Sequence, residues 1–350
     1  MTTVPVLRAA VVGLGKLGLL HAGLFNVLPG TRLVGLADPS EQVLRAIQSK
    51  SDGLETFGDH QQLLKALRPD VVAIATPTGL HCDIAADCVA AGAHVFIEKP
   101  LCLRPSDAEP LLKALRATPR VSMVGYMTRF LETFRKAQEL IALGVLGRLQ
   151  MLRSSMYVAQ LFREGKGWRY DPAVSGGGVL MTQNSHLVDM LLWMFGPVDR
   201  VSAHTSRLYS AAVEDHAHVF FEFASGLHGF LDASWSAHHY RTPTMAIHVQ
   251  GEGGTLDVND DRVALFLAEG THGMAAGWHE WRKPDLNQGV PFDIGGSHYT
   301  LQAVQFLDAI RGTSRVESDV HSAIEVQRVI AAAYESAACA GAPVLPRAVA

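Results

Sequence analysis

Residues 7–18 read LRAAVVGLGKLG, an apolar run that passes directly into a glycine-rich turn with the spacing GxGxxG. A helical pattern follows, so the segment predicts a strand, a turn and a helix. In such a unit Gly13 allows the tight turn, Gly15 lets a pyrophosphate approach the backbone, and Gly18 lets the helix pack on the sheet. We therefore predict a bound dinucleotide and assign it five residues of this turn: Gly13, Gly15, Lys16, Leu17 and Gly18.

Asp38 indicates which dinucleotide is bound. It stands twenty positions after Gly18, at the end of the next predicted strand, where a carboxylate accepts hydrogen bonds from the ribose hydroxyls. The same carboxylate repels a 2′-phosphate, and ADPSEQ (residues 37–42) contains no arginine to neutralise one. We predict NAD in preference to NADP, with Arg45, one turn into the next helix, as the cation that would weaken this preference.

The pattern of strands and helices changes once along the chain. Up to residue 125, short apolar strands alternate with helices, which predicts a doubly wound parallel sheet, the α/β Rossmann fold. From residue 126 to 350, one helix precedes a series of alternating strands, and two helices close the chain. We predict a dinucleotide-binding domain over 1–125. For 126–350 we predict an α+β domain with a large, mainly antiparallel open sheet that binds substrate and forms oligomers.

Composition excludes several classes of partner. The net charge of −4 gives no basic surface for nucleic acid, and no apolar run is long enough to span a membrane. The four cysteines lack a paired spacing, which is typical of reduced thiols in a cytoplasmic protein. The 16 histidines have no accompanying set of metal ligands, so we predict no metal. Small molecules and further subunits remain as partners, and we expect a homodimer or homotetramer because the open sheet needs cover.

Two motifs lie at the carboxyl ends of predicted strands, the edge where doubly wound sheets bind ligands. IATPTGLH (residues 74–81) supplies Thr76, Pro77 and His81, and IEKPL (residues 97–101) supplies Glu98 and Lys99. A surface ion pair is the alternative for the last two. Their position at the nucleotide edge favours a functional interpretation.

A third motif, SGGGVLMTQNSHLVDML (residues 175–191), places His186 in an apolar helical pattern. A single histidine in such a helix is most often a satisfied core residue, and that alternative stays open on this segment alone. The three glycines that begin the segment predict a close approach of the helix start to a nicotinamide or substrate.

Taken in order, the motifs VVGLGKLG, IATPTGLH, AGAHVFIEKPL, GYMTRF, SGGGVLMTQNSHLVD, EDHAHVFFEF and VQGEGGTL resemble the glucose-fructose oxidoreductase, inositol dehydrogenase and MocA-like (Gfo/Idh/MocA) family over nearly the whole chain. The resemblance implies that Lys99 is a catalytic lysine beside the nicotinamide and His186 the active-site histidine. It also implies Glu98 and Thr76 near the cofactor and Arg129 in or near the substrate cleft.

One departure from the family pattern concerns the histidine. Dyad-type members carry aspartate four residues before it, whereas this chain has Thr182. A continuous helix would place Thr182 and His186 on one face, with Asp189 close by and Gln183 well off it. A threonine hydroxyl carries no charge to stabilise an imidazolium, so we expect His186 to be a weaker base and Lys99 to take a larger share of proton transfer.

The predicted function is hydride transfer between NAD and a secondary alcohol of a sugar, cyclitol or nucleotide sugar. We assign substrate binding to Arg129, Trp168, Arg169, Thr182, Gln183 and His186. Trp168 and Arg169 lie in FREGKGWRYD (residues 162–171), a loop that is either a binding site for phosphate or simply solvated. Two other functions stay open: a regulatory dinucleotide-binding protein without turnover, and a glycosidase that uses NAD transiently.

Overall fold

The computed structural model describes residues 5–49 and 53–347. Two compact units divide the chain. The first takes the residues up to Tyr126 together with Val290–Ile324, and the second takes Met127–Gly289 together with the residues from Glu325 onward.

The first unit contains a six-stranded parallel sheet in the order β3-β2-β1-β4-β5-β6. Its strands are β1 (Leu7–Val12), β2 (Thr31–Ala37), β3 (Glu55–Phe57), β4 (Val71–Ile74), β5 (His94–Ile97) and β6 (Ser122–Val124). Its helices are α1 (Lys16–Val27), α2 (Glu41–Gln48), α3 (His60–Leu67), α4 (His81–Ala90), α5 (Glu109–Ala117) and α11 (Ser297–Ile310). Strand order reverses between β1 and β4, which creates a crevice at their carboxyl ends. β4 is buried throughout, as its continuous apolar sequence requires.

The second unit contains an eight-stranded sheet in the order β14-β13-β12-β11-β7-β10-β9-β8. Its strands are β7 (Leu149–Tyr157), β8 (Val198–Ser206), β9 (His216–Phe223), β10 (His228–Ser234), β11 (Thr244–Gly251), β12 (Gly254–Asn259), β13 (Arg262–Leu267) and β14 (Gly277–Arg282). The pair β10–β7 is parallel, and the other pairs are antiparallel. Its helices are α6 (Glu132–Ala142), α7 (Pro172–Ser175), α8 (Val179–Thr182), α9 (Ser185–Phe195), α10 (Lys283–Leu286) and the part of α12 (Val320–Ala338) that follows Ile324. The predicted fold class is confirmed in both units.

The C-terminal segment of the chain departs from the sequence-based division. We expected all of 126–350 in the second domain, but residues 290–324 group with the first unit. Phe306 of α11 meets Phe96 of β5 edge-on at 5.8 Å, and the Ser318 hydroxyl donates to the Val124 carbonyl at 2.8 Å. The apolar face of a helix does not reveal which of two cores it joins, so this return could not be predicted from the sequence.

The segment around His186 is also different from the prediction. In place of one helix over residues 175–191 there are three short helices, α7, α8 and α9, separated by the glycines and by a turn at Gln183 and Asn184. The regular hydrogen-bond pattern stops here, because the Asn184 N–H donates to the Val179 carbonyl five residues earlier, although the apolar residues keep a helical spacing. The two edge strands β3 and β14, short or half-exposed, were not predicted.

Candidate active site

The glycine-rich turn leads from β1 into α1 with each glycine under a different constraint. Gly13 adopts a φ of +87°, and a Cβ there would lie 2.7 Å from the Ala75 carbonyl carbon. A Cβ at Gly18 would lie 1.8 Å from the Gly13 carbonyl oxygen. At Gly15 a Cβ would meet nothing within 4 Å, so the space in front of the turn is open. The first and third glycines are therefore required by the fold, and the second leaves room for a ligand.

The beginning of α1 fits a pyrophosphate. Gly15 is the N-cap and provides no side-chain hydrogen bond to the first turn, so the backbone N–H groups there are available to an anion. Lys16 is exposed and Leu17 half-buried at the first two helical positions. Uncapped amides, the positive end of the helix dipole and an exposed lysine together suit a dinucleotide phosphate.

The Asp38 carboxylate is fixed by the backbone. Its Oδ2 accepts from the Leu14 N–H and its Oδ1 from the Ser40 N–H, both at 2.8 Å. Each oxygen keeps a further lone pair for a ribose hydroxyl. Arg45, the cation expected to favour NADP, instead pairs with Glu41 at 2.7 Å on the surface of α2.

The motif after β4 holds two loops together. His81 is 1% exposed; its Nε2 faces the Thr76 carbonyl oxygen at 2.8 Å and its Nδ1 the Pro100 carbonyl oxygen at 3.0 Å. Both ring nitrogens thus face carbonyl oxygens of the protein, and the assignment of His81 to cofactor binding stays a prediction. Burial lowers the pKa of this imidazole. Pro77 begins a short 3-10 turn at residues 78–80, and the Thr76 hydroxyl is buried without a hydrogen-bond partner among the described residues.

The motif after β5 separates its two charged residues. Glu98 is 6% exposed, and its Oε1 lies 2.7 Å from Nε2 of His21, a residue of α1 that sequence reasoning did not single out. Lys99 is half-buried at the carboxyl edge of the sheet, the edge that also carries the glycine turn. The Glu98 carboxylate therefore faces His21 in the interior, and its predicted place near the cofactor stays a prediction.

In the second unit, the turn between α8 and α9 sets the side chains near His186. The Thr182 hydroxyl donates to the Gly178 carbonyl at 2.8 Å, and the His186 N–H donates to the Gln183 carbonyl at 3.2 Å. Because Gln183 and Asn184 interrupt the helix, the expected shared face of Thr182 and His186 on one continuous helix is not present. Gln183 Oε1 accepts from the Trp235 indole N–H at 2.9 Å. His186 itself is 6% exposed.

Two of the three glycines before His186 make room for protein groups. A Cβ at Gly178 would lie 1.8 Å from the Glu214 carbonyl oxygen, and a Cβ at Gly177 would lie 2.1 Å from the Tyr334 hydroxyl. The Glu214 carboxylate then caps α8 by accepting from the Gly178 N–H at 2.8 Å and the Leu180 N–H at 3.0 Å, and Tyr334 donates to it at 2.8 Å. Gly177 and Gly178 thus allow close packing against the chain itself, and the approach to cofactor or substrate stays a prediction.

Arg129 lies in a buried ion pair. Its Nε and one Nη donate to the two oxygens of Asp189 at 2.8 and 2.6 Å, and the two side chains are 4% and 0% exposed. The guanidinium also lies 5.7 Å from the centre of the Trp193 ring. Sixty positions separate Arg129 from Asp189, so no local sequence pattern predicts the pair. Both oxygens of the Asp189 carboxylate thus accept hydrogen bonds from Arg129.

The loop at residues 162–171 is exposed and aromatic. Trp168 is 54% exposed, and the Arg169 guanidinium lies 5.4 Å from its ring centre. Phe162 stacks on His238 with ring centres 4.3 Å apart. Tyr170 meets Trp235, the partner of Gln183, edge-on at 5.7 Å. The loop thus reaches the residues next to His186 through Tyr170 and Trp235.

Comparison with known proteins identifies both parts of the chain. Residues 7–126 match the profile of the oxidoreductase family with an NAD-binding Rossmann fold, and residues 134–257 match that of the GFO/IDH/MocA C-terminal domain. The chain belongs to the Gfo/Idh/MocA oxidoreductase family. The resemblance inferred from the motifs is confirmed, and so is NAD as the cofactor of the first unit.

Relatives within the Gfo/Idh/MocA family act on polyols and sugars. The scyllo-inositol 2-dehydrogenase (NAD(+)) of Bacillus subtilis is 27% identical over 345 residues, which cover 93% of this chain and 92% of that protein. Levoglucosan dehydrogenase in complex with NADH and levoglucosan superposes with a TM-score of 0.87 at 21% identity, covering 98% and 100% of the two chains. The WlbA dehydrogenase of Chromobacterium violaceum, in complex with NADH and UDP-GlcNAcA, superposes with a TM-score of 0.84 at 24% identity. The superposition covers 99% of this chain and 97% of that one.

The described part of the chain was searched for membrane-spanning helices and for metal sites. Within residues 5–49 and 53–347, no helix is long and apolar enough to cross a membrane. The same residues include no group of three or more potential ligands arranged to hold a metal ion.

Proposed function

We propose that this protein is an NAD-dependent dehydrogenase that moves a hydride between the cofactor and a secondary alcohol of a sugar, cyclitol or nucleotide sugar. One observation carries the proposal. The open, uncapped turn from Gly13 to Gly18 shares the carboxyl edge of the parallel sheet with Lys99, a half-buried lysine at the end of β5. The polyol and sugar dehydrogenases among the relatives support the same class of substrate.

The chain itself supplies the proton chemistry of the reaction. When bound, the nicotinamide provides the acceptor for the hydride of the carbinol carbon. Oxidation of the alcohol also releases its hydroxyl proton, which requires a positioned base. Lys99 Nζ and the His186 imidazole are the two groups that we assign to this role, with the larger share on Lys99. Thr182 brings no charge to stabilise a protonated His186, since its hydroxyl is neutral, and it donates its hydrogen to the Gly178 carbonyl.

Gln183 is suited to hold a substrate oxygen. The Trp235 indole N–H can only donate, so the facing atom of the Gln183 amide is Oε1. Its Nε2 is left buried and without a hydrogen-bond partner in the part of the chain that the structure describes. A buried donor of this kind favours a ligand that brings an acceptor, such as a hydroxyl or ring oxygen of a polyol.

The decisive experiment is a panel of cyclitols, free sugars, glycosides and nucleotide sugars, with the absorbance of reduced NAD as the signal. We expect turnover on at least one of them and a loss of about 10²-fold or more for Lys99→Ala, with a comparable or smaller loss for His186→Ala. Lys65→Ala, on the exposed side of α3, is the matched control.

Other outcomes would favour the alternatives. A Lys99→Ala variant that binds NAD normally and keeps near-wild-type turnover would contradict this mechanism. Cleavage of an aryl glycoside with no net change in the cofactor would indicate the glycosidase. Tight NAD binding with no turnover on any substrate would indicate the regulatory protein.

A further inference from the structure

The first unit contains a buried histidine–carboxylate pair that the proposed proton transfer does not use. The His21 and Glu98 side chains are 2% and 7% exposed, and Nε2 of His21 lies 2.7 Å from Oε1 of Glu98. His21 lies in α1, one turn after the end of the glycine turn, and its ring packs on Phe96 with centres 4.7 Å apart. The pair thus joins the helix that receives the cofactor phosphates to the end of the strand that carries Lys99.

The surroundings of His21 define its protonation. Its Nδ1 is buried and has no hydrogen-bond partner within residues 5–49 and 53–347. A proton on Nδ1 would bury an unsatisfied N–H, so the ring is best described as neutral, with its proton on Nε2. The Nε2–H then donates to an ionised Glu98 carboxylate, a charge-assisted hydrogen bond.

The other side of the Glu98 carboxylate is equally confined. Its Oε2 accepts from the Lys99 backbone N–H at 3.3 Å, and a Cβ on Gly125 would lie 3.2 Å from the same oxygen. Burial, together with the Glu98 charge, raises the pKa of Tyr299 in α11 to about 12. The carboxylate therefore occupies a closed interior position. Of its two hydrogen bonds described here, the one from His21 comes from a side chain and can be removed by mutation.

We propose that His21 is a positioning residue for the dehydrogenase reaction, because it holds the Glu98 carboxylate in the interior and away from the Lys99 amine. The inference rests on the proposed catalytic role of Lys99. Glu98 and Lys99 follow β5 directly, and the Glu98 carboxylate accepts from the Lys99 backbone N–H, so fixing Glu98 also restrains the backbone that carries Lys99.

Loss of the His21 hydrogen bond has a defined consequence. A carboxylate that loses a buried donor must find another partner, and the nearest cation along the chain is the adjacent Lys99. Pairing with Glu98 stabilises the protonated form of Lys99, which neither accepts a proton nor attacks an electrophile. His21 would thereby affect the reactivity of Lys99 without touching substrate or cofactor.

Three substitutions separate this role from simple packing. His21→Gln places an amide nitrogen where Nε2 stands and can restore the donor. His21→Asn places its amide nitrogen near the position of Nδ1, too short to reach Glu98, and serves as the matched control. His21→Leu removes every donor. For each variant we would measure kcat and, in the absence of cofactor and substrate, the rate at which acetic anhydride acetylates Lys99, by mass spectrometry relative to Lys65 in the same digest.

We expect Lys99 to react about threefold or more slowly in His21→Leu and His21→Asn. We expect kcat to fall about tenfold in His21→Leu and His21→Asn. For His21→Gln we expect both kcat and the acetylation rate to stay within about twofold of wild type. Wild-type acetylation of Lys99 in His21→Asn, or equal behaviour of the Asn and Gln variants, would overturn the proposal. If His21→Leu does not fold, the comparison of Asn with Gln decides.

The acetylation measurement needs no substrate, so it also distinguishes the two proposals. Normal turnover of Lys99→Ala would contradict the proposed function, and the acetylation rates would still show whether His21 affects the reactivity of Lys99. Loss of turnover in Lys99→Ala, combined with unchanged acetylation in the His21 variants, would overturn this inference alone.

Discussion

Replacing Asp189 by asparagine tests the buried ion pair with Arg129. Burial raises the pKa of the Asp189 carboxyl, and the facing guanidinium opposes that rise. The two hydrogen bonds from Arg129, at 2.6 and 2.8 Å, need two acceptor oxygens, which the ionised carboxylate provides. Asparagine keeps the shape but turns an amide donor toward the guanidinium and removes the negative charge that faces it.

The expected cost follows from the burial of both partners. Charges about 4 Å apart in an effective dielectric of about 20 attract by about 4 kcal/mol. Loss of one member of a buried pair costs about 3–5 kcal/mol, because the remaining charge stays out of water. The Arg129 side chain is 4% exposed, so it has little access to solvent after the substitution. We therefore expect Asp189→Asn to lower the free energy of unfolding by about 3–5 kcal/mol.

Urea unfolding, followed by circular dichroism and tryptophan fluorescence, measures this change. Glu41→Gln, which breaks the exposed Arg45–Glu41 pair at a similar distance, is the control and should cost less than about 1 kcal/mol. The double variant Arg129→Met with Asp189→Leu removes both charges and should recover most of the lost stability. A cost for Asp189→Asn below about 1 kcal/mol, or a double variant no more stable than the single one, would refute the reasoning.

Three further predictions concern the cofactor, pH and assembly. Asp38→Ala should lower kcat/KM for NAD about 10- to 100-fold with little effect on NADP, because a charged acceptor is lost; parallel assays with both cofactors check this, and an unchanged ratio would contradict it. Burial raises the pKa of Asp260 to about 6, so the folded state holds that proton more tightly than the unfolded chain does. The resulting stabilisation of the fold is present below about pH 4 and is lost as the pH rises through about 6. Asp260→Asn should therefore be more stable than wild type at pH 8, by about 1–3 kcal/mol in urea titrations, and a less stable variant at pH 8 would be inconsistent with this. The exposed rings of Phe220, Phe230 and Trp278 on the second sheet lead us to expect dimers or tetramers, and a strict monomer in light scattering at micromolar concentration would disprove this.

The parts of the fold that were predicted correctly are those that local sequence patterns determine. β1 ends at the glycine turn and β5 ends at the IEKPL motif, as predicted, because continuous apolar strands between turn residues leave little choice of register. The glycine turn was assigned correctly to a strand–helix junction, since Gly13 and Gly18 are required by contacts within a few residues or with the next strand. The fold class followed from these local signals.

Interactions between distant residues were not predictable in this way. Arg129 with Asp189, His21 with Glu98, and Glu214 with Tyr334 are each more than fifty positions apart, and a single sequence gives no sign of such pairing. The same limit applies to the contacts of Glu98 and His81, because the direction of a side chain depends on partners from other elements.

The return of residues 290–324 to the first unit has a consequence for biosynthesis. A ribosome releases the chain in order, so β1 to β6 emerge long before α11, whose Phe306 covers Phe96. The apolar surface that awaits α11 stays uncovered while the sheet of the second unit is still being translated. A fragment that ends at Tyr126 would carry every residue of the nucleotide turn and still lack part of the core beneath it. A premature stop late in the gene therefore damages the earliest-made part of the protein as well as its end.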